Sequence, residues 1–357
     1  MKRKKRDLRR FLAVLFCAAA AVLLLCRLED AAEGAREGLL LCAQTVIPML
    51  FPFMAVSGFL VLSGGSELLG RWLQPVTKRL FRLPGAAAAG LLMSFIGGYP
   101  VGAQNAARLL ERGLIKDDQA ELMALICCCP GPTFAIGAVG SAVLGSARSG
   151  TILYASCVLS CLLTGVVFSR LYRFRPDAGS KAARETSLAQ AFVEGTATAS
   201  NGMFVICAWV ILFSAVLAVA DSLSLPEGVS RVLGPLLEVT VGSRGAFEAF
   251  GPLGVAAACG FGGLSVHCQM FSALPRLRLP RFFAARALCA FLNVLICWGL
   301  FLLFPQEKPA FANGAAPLPA LGTGGVGASL MLMLLSAVLV CSVPVAHRPR
   351  VDFTGDL

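Results

Sequence analysis

The sequence predicts an all-α, polytopic membrane protein with about eight hydrophobic spans in two pseudo-symmetric repeats. First, 57% of its 357 residues are hydrophobic and its mean hydropathy is +0.77. Second, only 14% of the residues are charged, against about 25% in ordinary soluble proteins. A soluble protein of this composition could not cover its surface with polar side chains. Third, a short glycine-rich motif occurs once in each half of the chain, which is typical of repeats.

The N-terminal segment, residues 1–30, predicts an uncleaved signal-anchor helix with its N-terminus in the cytoplasm. A strongly basic run, KRKKRDLRR, precedes the apolar stretch from Phe11 to Cys26. A cleavable signal peptide is the alternative, because it begins with the same basic and apolar regions. No clear A-x-A cleavage site follows the apolar stretch, so the anchor helix is favoured.

Four apolar segments make up the predicted first repeat, residues 31–185. Their approximate bounds are 37–64, 83–110, 120–145 and 151–169. Proline removes a backbone donor and kinks or breaks a helix, so the prolines inside these segments are predicted hinges. They are Pro48, Pro52, Pro130 and Pro132.

The predicted second repeat, residues 186–357, resembles the first. Its apolar segments are approximately 191–220, 254–273, 282–304 and 327–345. The pair Glu194-Gly195 repeats the pair Glu37-Gly38 after 157 residues. The motif GGLSVHCQ is similar to GGYPVGAQ, which lies 165 residues earlier. Weak internal symmetry with interrupted segments at matching places is a sequence indication of a secondary transporter.

Two topologies are open. If both glycine-interrupted segments are re-entrant hairpins, the halves are inverted, and the basic loops 71–82 and 170–184 lie inside, as the positive-inside rule expects. Arg276, Arg278 and Arg281 then lie outside. If the second interrupted segment crosses fully, these arginines lie inside but the symmetry is weaker. Inverted repeats are the favoured prediction.

The interrupted segments predict the binding site. Unpaired backbone groups at membrane depth cost several kcal/mol, so broken helices survive only against protein or a water-filled cavity. Helix N-termini at such breaks suit an anion, and side-chain amides add directional hydrogen bonds. The predicted substrate-binding residues are Gly97, Gly98, Tyr99, Gln104, Asn105, Gly262, Gly263, Ser265, His267 and Gln269.

Alternative interpretations stay open for several of these residues. Glycines in membrane helices often serve only close helix packing. For His267, a structural role and a functional role are about equally supported. Asn201, at the start of a span, is as consistent with a helix cap as with a ligand contact.

Several functions lack support in the sequence. The basic residues, with a net charge of +11, lie in short loops without interleaved aromatics, so no nucleic-acid partner is predicted. The 14 cysteines fall almost entirely in apolar segments, and no C-x-x-C pair with matching histidines occurs, so packing is favoured over a metal site. The enzyme motifs H-E-x-x-H, G-K-[ST] after a glycine loop and G-x-S-x-G are missing. We therefore predict no enzyme and no cofactor.

Three segments in order, TVIPMLFPFMAVSG, GGYPVGA and FGGLSVHCQ, resemble the sporulation integral membrane protein YlbJ family. The resemblance covers roughly residues 35–300 and implies paired nucleoside-recognition (Gate) domains related to concentrative nucleoside transporters. It also implies a multi-pass protein of the outer forespore membrane that moves dipicolinate, a small aromatic dianion, during sporulation. A structural membrane protein without transport activity and a nucleoside carrier are the alternatives. The expected partners are the anion and the lipid bilayer, and a homo-oligomer is possible.

Overall fold

A computed structural model of the protein describes residues 2–172, 174, 187–223 and 225–304. Within these ranges the regular secondary structure is entirely helical, which confirms the predicted all-α class. The helices are α1 Lys2–Cys26, α2 Leu28–Leu41, π1 Cys42–Val46, α3 Ile47–Leu62, α4 Gly65–Phe81, α5 Ala86–Gly97, α6 Tyr99–Glu111, α7 Asp117–Cys127, π2 Thr133–Ser141, α8 Ala147–Leu171, α9 Leu188–Ser222, α10 Glu227–Leu237, α11 Val239–Phe261, α12 Gly263–Ala273 and α13 Leu279–Leu303. The segments π1 and π2 are π-helical.

By length and composition, five helical stretches of the described chain can cross a membrane, and six if the bent pair α4–α5 counts as one span. The bend between α4 and α5 is 83°, and Trp72 on α4 is 82% exposed. An amphipathic helix with a large exposed aromatic side chain is typical of the membrane surface. We therefore place α4 along the surface and not within a span.

One end of the bundle collects the basic loops, and we call it the basic end. The Arg82 guanidinium at the end of α4 donates to the Tyr172 carbonyl after α8, at 3.2 Å. The Arg276 guanidinium after α12 donates to the Asp117 carboxylate at the start of α7, at 3.2 Å. The Arg281 guanidinium lies 4.9 Å above the Tyr172 ring centroid. These contacts bring the loops after α4, α6, α8 and α12 to one end.

Helices α5 and α6 form a re-entrant hairpin that enters from the basic end, turns at Gly98 and returns. The two helices are antiparallel, because the Asn105 amide donates to the Gly90 carbonyl at 3.5 Å. Helix α6 ends beside Arg112, whose guanidinium donates to the Val61 carbonyl at the end of α3. The prediction that the first interrupted segment is re-entrant is thus in agreement with the packing.

A second re-entrant hairpin consists of α10 and the first part of α11. Its tip is Glu238. The two arms of the hairpin lie side by side, because a Cβ built on Gly234 in α10 would lie 3.4 Å from the Cα of Gly242 in α11. The chain reverses again at Gly251, whose φ of 63° and ψ of −156° are not helical. After this reversal a Cβ on Gly263 would lie 3.1 Å from the Val239 nitrogen. The second half of α11 therefore runs back along the first half.

Two spans cross the bundle with a break in the middle. The first consists of α7 and π2, with the non-helical residues Cys128–Gly131 between them. The second runs from Pro252 through Gly262, where φ is 97°, to the end of α12. Helix α8 runs back alongside π2, because a Cβ built on Gly140 would lie 2.6 Å from the Cα of Gly150.

The described elements occur twice in the same order, and the second set is inverted. Each set has a long helix, a re-entrant hairpin, a broken span and a continuous span. The two long helices, Leu28–Leu62 and Leu188–Ser222, each have 35 residues and are antiparallel. A Cβ on Gly34 would lie 2.5 Å from the Ala218 Cβ, and one on Gly195 would lie 2.7 Å from the Phe59 nitrogen. The predicted inverted repeats are confirmed.

The structure corrects the register of the repeats. Gly98 is the tip of a hairpin, whereas Gly262 is the break of a crossing span, so the two glycine motifs are not structurally equivalent. The equivalent of Gly98 is Glu238, and the equivalent of Gly262 is the break at Cys128–Gly131. The cause is α4, a helix of 17 residues that occurs in the first set alone among the described elements. It shifts the register after the first long helix.

The second interrupted segment crosses fully, so the favoured topology was wrong about Arg276, Arg278 and Arg281. They lie at the basic end with Arg82, as the positive-inside rule requires. The symmetry is nevertheless preserved, because the α10–α11 hairpin supplies the second re-entrant element. With α4–α5 counted as no crossing and the broken span α7–π2 counted as one, the described chain crosses six times. Helix α1 and the predicted span 327–345 would make eight. That last span, with the loop before it, lies outside the described residues.

The predicted hinge prolines differ in their surroundings. Pro48 and Pro52 lie in a helix that is continuous from Leu28 to Leu62, so they do not break it. The π-helical turn Cys42–Val46 directly precedes Pro48. Pro130 lies within the break of the first broken span, and Pro132 begins its second half. A conformational hinge at these sites stays a prediction.

Candidate functional site

The interruptions of the two repeats meet around one cavity, which we call the central cavity. Its volume is about 70 Å³, and both hairpin tips and the first broken span contribute to it. A Cβ on Gly98 would lie 3.0 Å from the Gly131 nitrogen. The Tyr99 hydroxyl donates to the Cys259 carbonyl at 2.9 Å, next to the second break. The residues that line this cavity include Thr45, Gly98, Tyr99, Gly131, Glu238 and Gln269.

A second cavity lies on the basic-end side of the first, and we call it the basic-side cavity. It has a volume of about 240 Å³ and reaches Glu111 and Ala273, at the last turns of α6 and α12. Its polar lining consists of three amides, two hydroxyls, one guanidinium and one carboxylate. These side chains are Gln104, Asn201, Gln269, Thr198, Ser272, Arg108 and Glu111.

Three residues separate the two cavities, because they line both of them. They are Pro100 on α6, Ile206 on α9 and Gln269 on α12. We call this set the partition. Each half of the chain contributes to it, so relative movement of the two repeats would change the connection between the cavities.

Gly98 shows why the first motif needs glycine. Its φ of 92° and ψ of −173° are open only to a residue without a Cβ. The tip also lies directly against Gly131, and a side chain there would press on that backbone. Pro100 occupies the first turn of α6, where the missing N–H costs no helical hydrogen bond.

The paired glutamines are brought together at the basic-side cavity. The Gln104 Oε1 is buried and has no hydrogen-bond partner among the described residues. The Gln269 amide donates weakly to the Ser265 hydroxyl at 3.4 Å. Both side chains therefore keep hydrogen-bonding capacity toward the cavity.

Five other predicted residues lie away from both cavities. Asn105 accepts from the Ser57 hydroxyl at 2.9 Å. His267 Nε2 lies 2.8 Å from the Phe261 carbonyl oxygen, and its ring stacks edge-on against Phe282 at 5.0 Å. The remaining three are Gly262, Gly263 and Ser265. The two glycines pack against neighbouring elements, and the Ser265 hydroxyl accepts a hydrogen bond from the Gln269 amide.

Gly97 also lies outside the cavity linings, although it adjoins the tip. A Cβ on Gly97 would lie 2.7 Å from a methyl carbon of Val101. Its role in the structure is therefore close packing within the hairpin. A direct contact with substrate at Gly97 stays a prediction that the geometry does not favour.

Sequence reasoning missed the cationic residue of the basic-side cavity, Arg108. Its side chain is 5% exposed, and Nε and Nη2 have no partner among the described residues. A Cβ on Gly58 would lie 2.8 Å from its Nη1, so glycine at position 58 leaves room for the guanidinium. The available signal was the spacing of Gln104 and Arg108, four residues apart on one helix face.

Glu238 was missed as well. It caps α11, accepting from the Val241 N–H at 2.8 Å, and is 1% exposed. In the sequence it stands alone between apolar residues, PLLEVTV. A single carboxylate inside an apolar stretch is itself a functional signal in a membrane protein.

Arg286 completes the buried charges near the breaks. It is fully buried on α13, and its Nη1 donates to the Cys128 carbonyl at the C-terminal end of α7. A cation at a helix C-terminus is favourable. We assign Arg286 to holding the first break in shape, because it lines neither cavity.

Comparison with known proteins agrees with this architecture. Residues 43–149 match the family model described as Gate, nucleoside recognition. Over 134 residues, 38% of this chain, the protein is 31% identical to the sporulation integral membrane protein YlbJ of Bacillus subtilis (strain 168). The resemblance to the YlbJ family is confirmed. No solved structure matches the chain.

The matched Gate region contains α3, the first re-entrant hairpin and the first broken span. The match covers 33% of the YlbJ relative, so the chain spans about a third of that protein's length in this alignment. The relative is named as an integral membrane protein, in agreement with the apolar helices of this chain.

Proposed function

We propose that the protein is a membrane transporter or facilitator for a small organic anion. The observation that carries the proposal is the basic-side cavity, whose lining combines the buried Arg108 with the amides of Gln104 and Gln269. A guanidinium with free donors recognises carboxylates in a directed geometry. Burial strengthens this attraction, since the effective dielectric constant is lower than in water.

The inverted repeats supply the transport mechanism. The anion would enter the basic-side cavity and bind between Arg108 and the two amides. Movement of one repeat against the other would then open the partition and connect this cavity with the central cavity. Neither hairpin tip needs to leave the protein interior in such a movement.

Dipicolinate is the proposed substrate within this class. The relative is named as a sporulation integral membrane protein, and the resemblance implies dipicolinate movement into the forespore across its outer membrane. A planar dicarboxylate presents one carboxylate to Arg108 and leaves the ring nitrogen and the second carboxylate for amide donors. Arg108 and the amides of Gln104 and Gln269 would supply these donors.

The test measures dipicolinate exchange across proteoliposomes that contain the full chain. We expect Arg108→Gln and Gln104→Ala/Gln269→Ala each to lower exchange by about tenfold or more, which corresponds to ~1.4 kcal/mol of lost binding. Gln190→Ala is the matched control, because Gln190 is exposed and bonds only to Glu194 in the described structure. Equal exchange by all variants would refute the binding site.

A nucleoside carrier is the second candidate, favoured by the description of the matched Gate model. Exchange of labelled adenosine is therefore measured in the same proteoliposomes. Saturable adenosine exchange without dipicolinate exchange would replace the first proposal by the second. Absence of both activities, with normal protein level, would favour a structural role in the membrane.

A further inference from the structure

A third cavity lies at the basic end, among the ends of three spans, and we call it the rim cavity. Its volume is about 690 Å³, and it shares no described lining residue with the other two cavities. Helix α8 has 25 residues, more than the about 20 that cross the hydrocarbon core. Its end at the rim cavity therefore reaches the level of the lipid headgroups. The described residues that line this cavity are Lys116, Asp117, Asp118, Leu171, Tyr172, Arg278 and Arg281.

One side of the rim cavity has two arginines that share one carboxylate. The Oε2 atom of the buried Glu121 lies 3.6 Å from Arg278 Nε and 3.7 Å from Arg281 Nη1. Both distances exceed the usual hydrogen-bond length of about 2.7–3.2 Å. The Arg281 guanidinium is also held over the Tyr172 ring, 4.9 Å from its centroid. Two guanidiniums with one carboxylate keep a net positive charge and spare N–H donors, which suit a phosphate group.

The other side of the rim cavity is anionic, because two aspartates open α7. The Asp117 carboxylate accepts from the Arg276 guanidinium at 3.2 Å. The Asp118 carboxylate accepts from the Gln119 N–H at 3.0 Å. A ligand with negative charge alone would be repelled on this side. A ligand that carries both a phosphate and an ammonium group is complementary to the two sides of the cavity.

An apolar track leads from the rim cavity along α8. Leu171 lines the cavity and is 67% exposed. Exposed apolar residues recur every four positions before it, at Val167, Leu163 and Leu159. Residues four apart lie on one face of a helix, and the track from 159 to 171 is about 18 Å long at 1.5 Å per residue. This length is close to one leaflet, half of the about 30 Å hydrocarbon core.

We propose that the rim cavity binds a phospholipid with a primary ammonium headgroup, of the phosphatidylethanolamine type, in the leaflet on the basic side. Its phosphate contacts Arg278 and Arg281, its ammonium group faces Asp118, and one acyl chain lies along the α8 track. A lipid is favoured over a free phosphate ester, because the track continues the cavity toward the hydrocarbon core. Basic pockets between spans on the cytoplasmic side are known sites for lipid headgroups. The inference does not depend on the proposed anion transport.

The first experiment is native mass spectrometry of the full chain in detergent, titrated with three phospholipids of equal acyl chains. Phosphatidylglycerol has no headgroup cation, and phosphatidylcholine has a cation without N–H donors. We expect phosphatidylethanolamine to bind most tightly. Arg281→Gln should weaken its binding about tenfold, as expected for a lost charged hydrogen bond. Asp118→Asn should remove the preference over phosphatidylglycerol. Both variants keep the Arg278–Glu121 ion pair, so the buried carboxylate retains a cation.

Arg244→Gln is the matched control, since Arg244 is an exposed arginine of the second hairpin that pairs with Glu248 at 3.8 Å. It should bind phosphatidylethanolamine like the wild type. Equal binding of phosphatidylethanolamine and phosphatidylglycerol by the wild type overturns the inference. Unchanged binding and preference in Arg281→Gln and Asp118→Asn overturn it as well. If Arg281→Gln does not fold, the preference of Asp118→Asn decides alone.

The second experiment separates a lipid from a soluble phosphate ester. A ligand that binds the folded state raises the midpoint of thermal unfolding. We expect phosphatidylethanolamine to raise the midpoint of the purified full chain, and O-phosphoethanolamine or inorganic phosphate at the same concentration to leave it unchanged. An equal rise with O-phosphoethanolamine or phosphate overturns the assignment of a lipid. Neither experiment measures transport, so failure here leaves the proposed function intact, and absent dipicolinate exchange leaves the lipid site intact.

Discussion

Gln104 and Asn105 are chain neighbours with opposite surroundings, because successive residues of a helix point about 100° apart. Gln104 lines the basic-side cavity. Asn105 is fully buried and bonds to the Ser57 hydroxyl on α3 and the Gly90 carbonyl on α5. The first amide is therefore free for a ligand, and the second joins three helices of the first repeat.

This difference predicts opposite mutant phenotypes. Asn105→Leu removes both hydrogen bonds and leaves Ser57 without a partner, so we expect it to lower the free energy of unfolding by about 1–3 kcal/mol. Gln104→Leu loses no such bond and should change it by less than about 1 kcal/mol while lowering anion exchange. Thermal unfolding of both purified variants measures the difference. Equal destabilisation by the two substitutions would contradict the assigned orientations.

The residues that sequence reasoning recovered are those carried by a visible pattern. The repeated Gly-Gly, Val and Gln spacing drew attention to Gly98, Tyr99 and Gln269, which line the central cavity. Arg108 and Glu238 stand outside that pattern and could not be found from it. Their exposure is decided by contacts with α3 and with the other hairpin, which a single sequence does not reveal.

At the scale of elements, the second hairpin depends on two sharp reversals, at Glu238 and at Gly251. Gly251 has nothing within 4 Å of a built Cβ, yet its φ of 63° with ψ of −156° belongs to a region open essentially to glycine. A side chain at position 251 would therefore meet no neighbouring atom, and only the backbone conformation would oppose it.

We expect Gly251→Ala to destabilise the protein by about 1–3 kcal/mol through backbone strain alone. Gly137→Ala is the matched control, because Gly137 in π2 also has nothing within 4 Å but its φ is not in the left-handed region. Thermal unfolding midpoints of the two variants provide the measurement. If Gly251→Ala is as stable as Gly137→Ala, the reversal is absent and α11 is one straight span.

The same reversal explains why element order was only partly predictable. Hydropathy detected the apolar stretch at Gly254–Ala273, but it gave no sign that α10 and the start of α11 re-enter from the opposite end. The motif offset of 165 residues then matched a hairpin tip with a broken span. Short motifs of small residues recur wherever helices break, so their spacing does not define structural equivalence.

At the scale of the whole molecule, three basic segments meet at one end, and the order of crossings follows from that. The contacts of Arg82 with Tyr172 and of Arg276 with Asp117 fix the loops after α4, α8 and α12 together. The positive-inside rule places this end in the cytoplasm. The turn between π2 and α8, near Ala142, then lies on the other side of the membrane.

Cysteine labelling tests this topology directly. In a chain whose native Cys17, Cys26 and Cys341 are replaced by serine, we expect Arg71→Cys and Arg276→Cys to react with a membrane-impermeant maleimide only in inside-out vesicles. Ala142→Cys, at an exposed position, should react only in right-side-out vesicles. The remaining cysteines of the described chain are buried or half-buried in helices and give the background.

The decisive position is Arg276, because the two topologies open at the sequence level differ there. A re-entrant second segment would expose it on the side of Ala142, whereas a crossing segment exposes it with Arg71. Labelling of Arg276→Cys from the same side as Ala142→Cys would move α12 out of the partition. Gln269 would then no longer lie between the two cavities, and the proposed path of the anion from one cavity to the other would lose its structural basis.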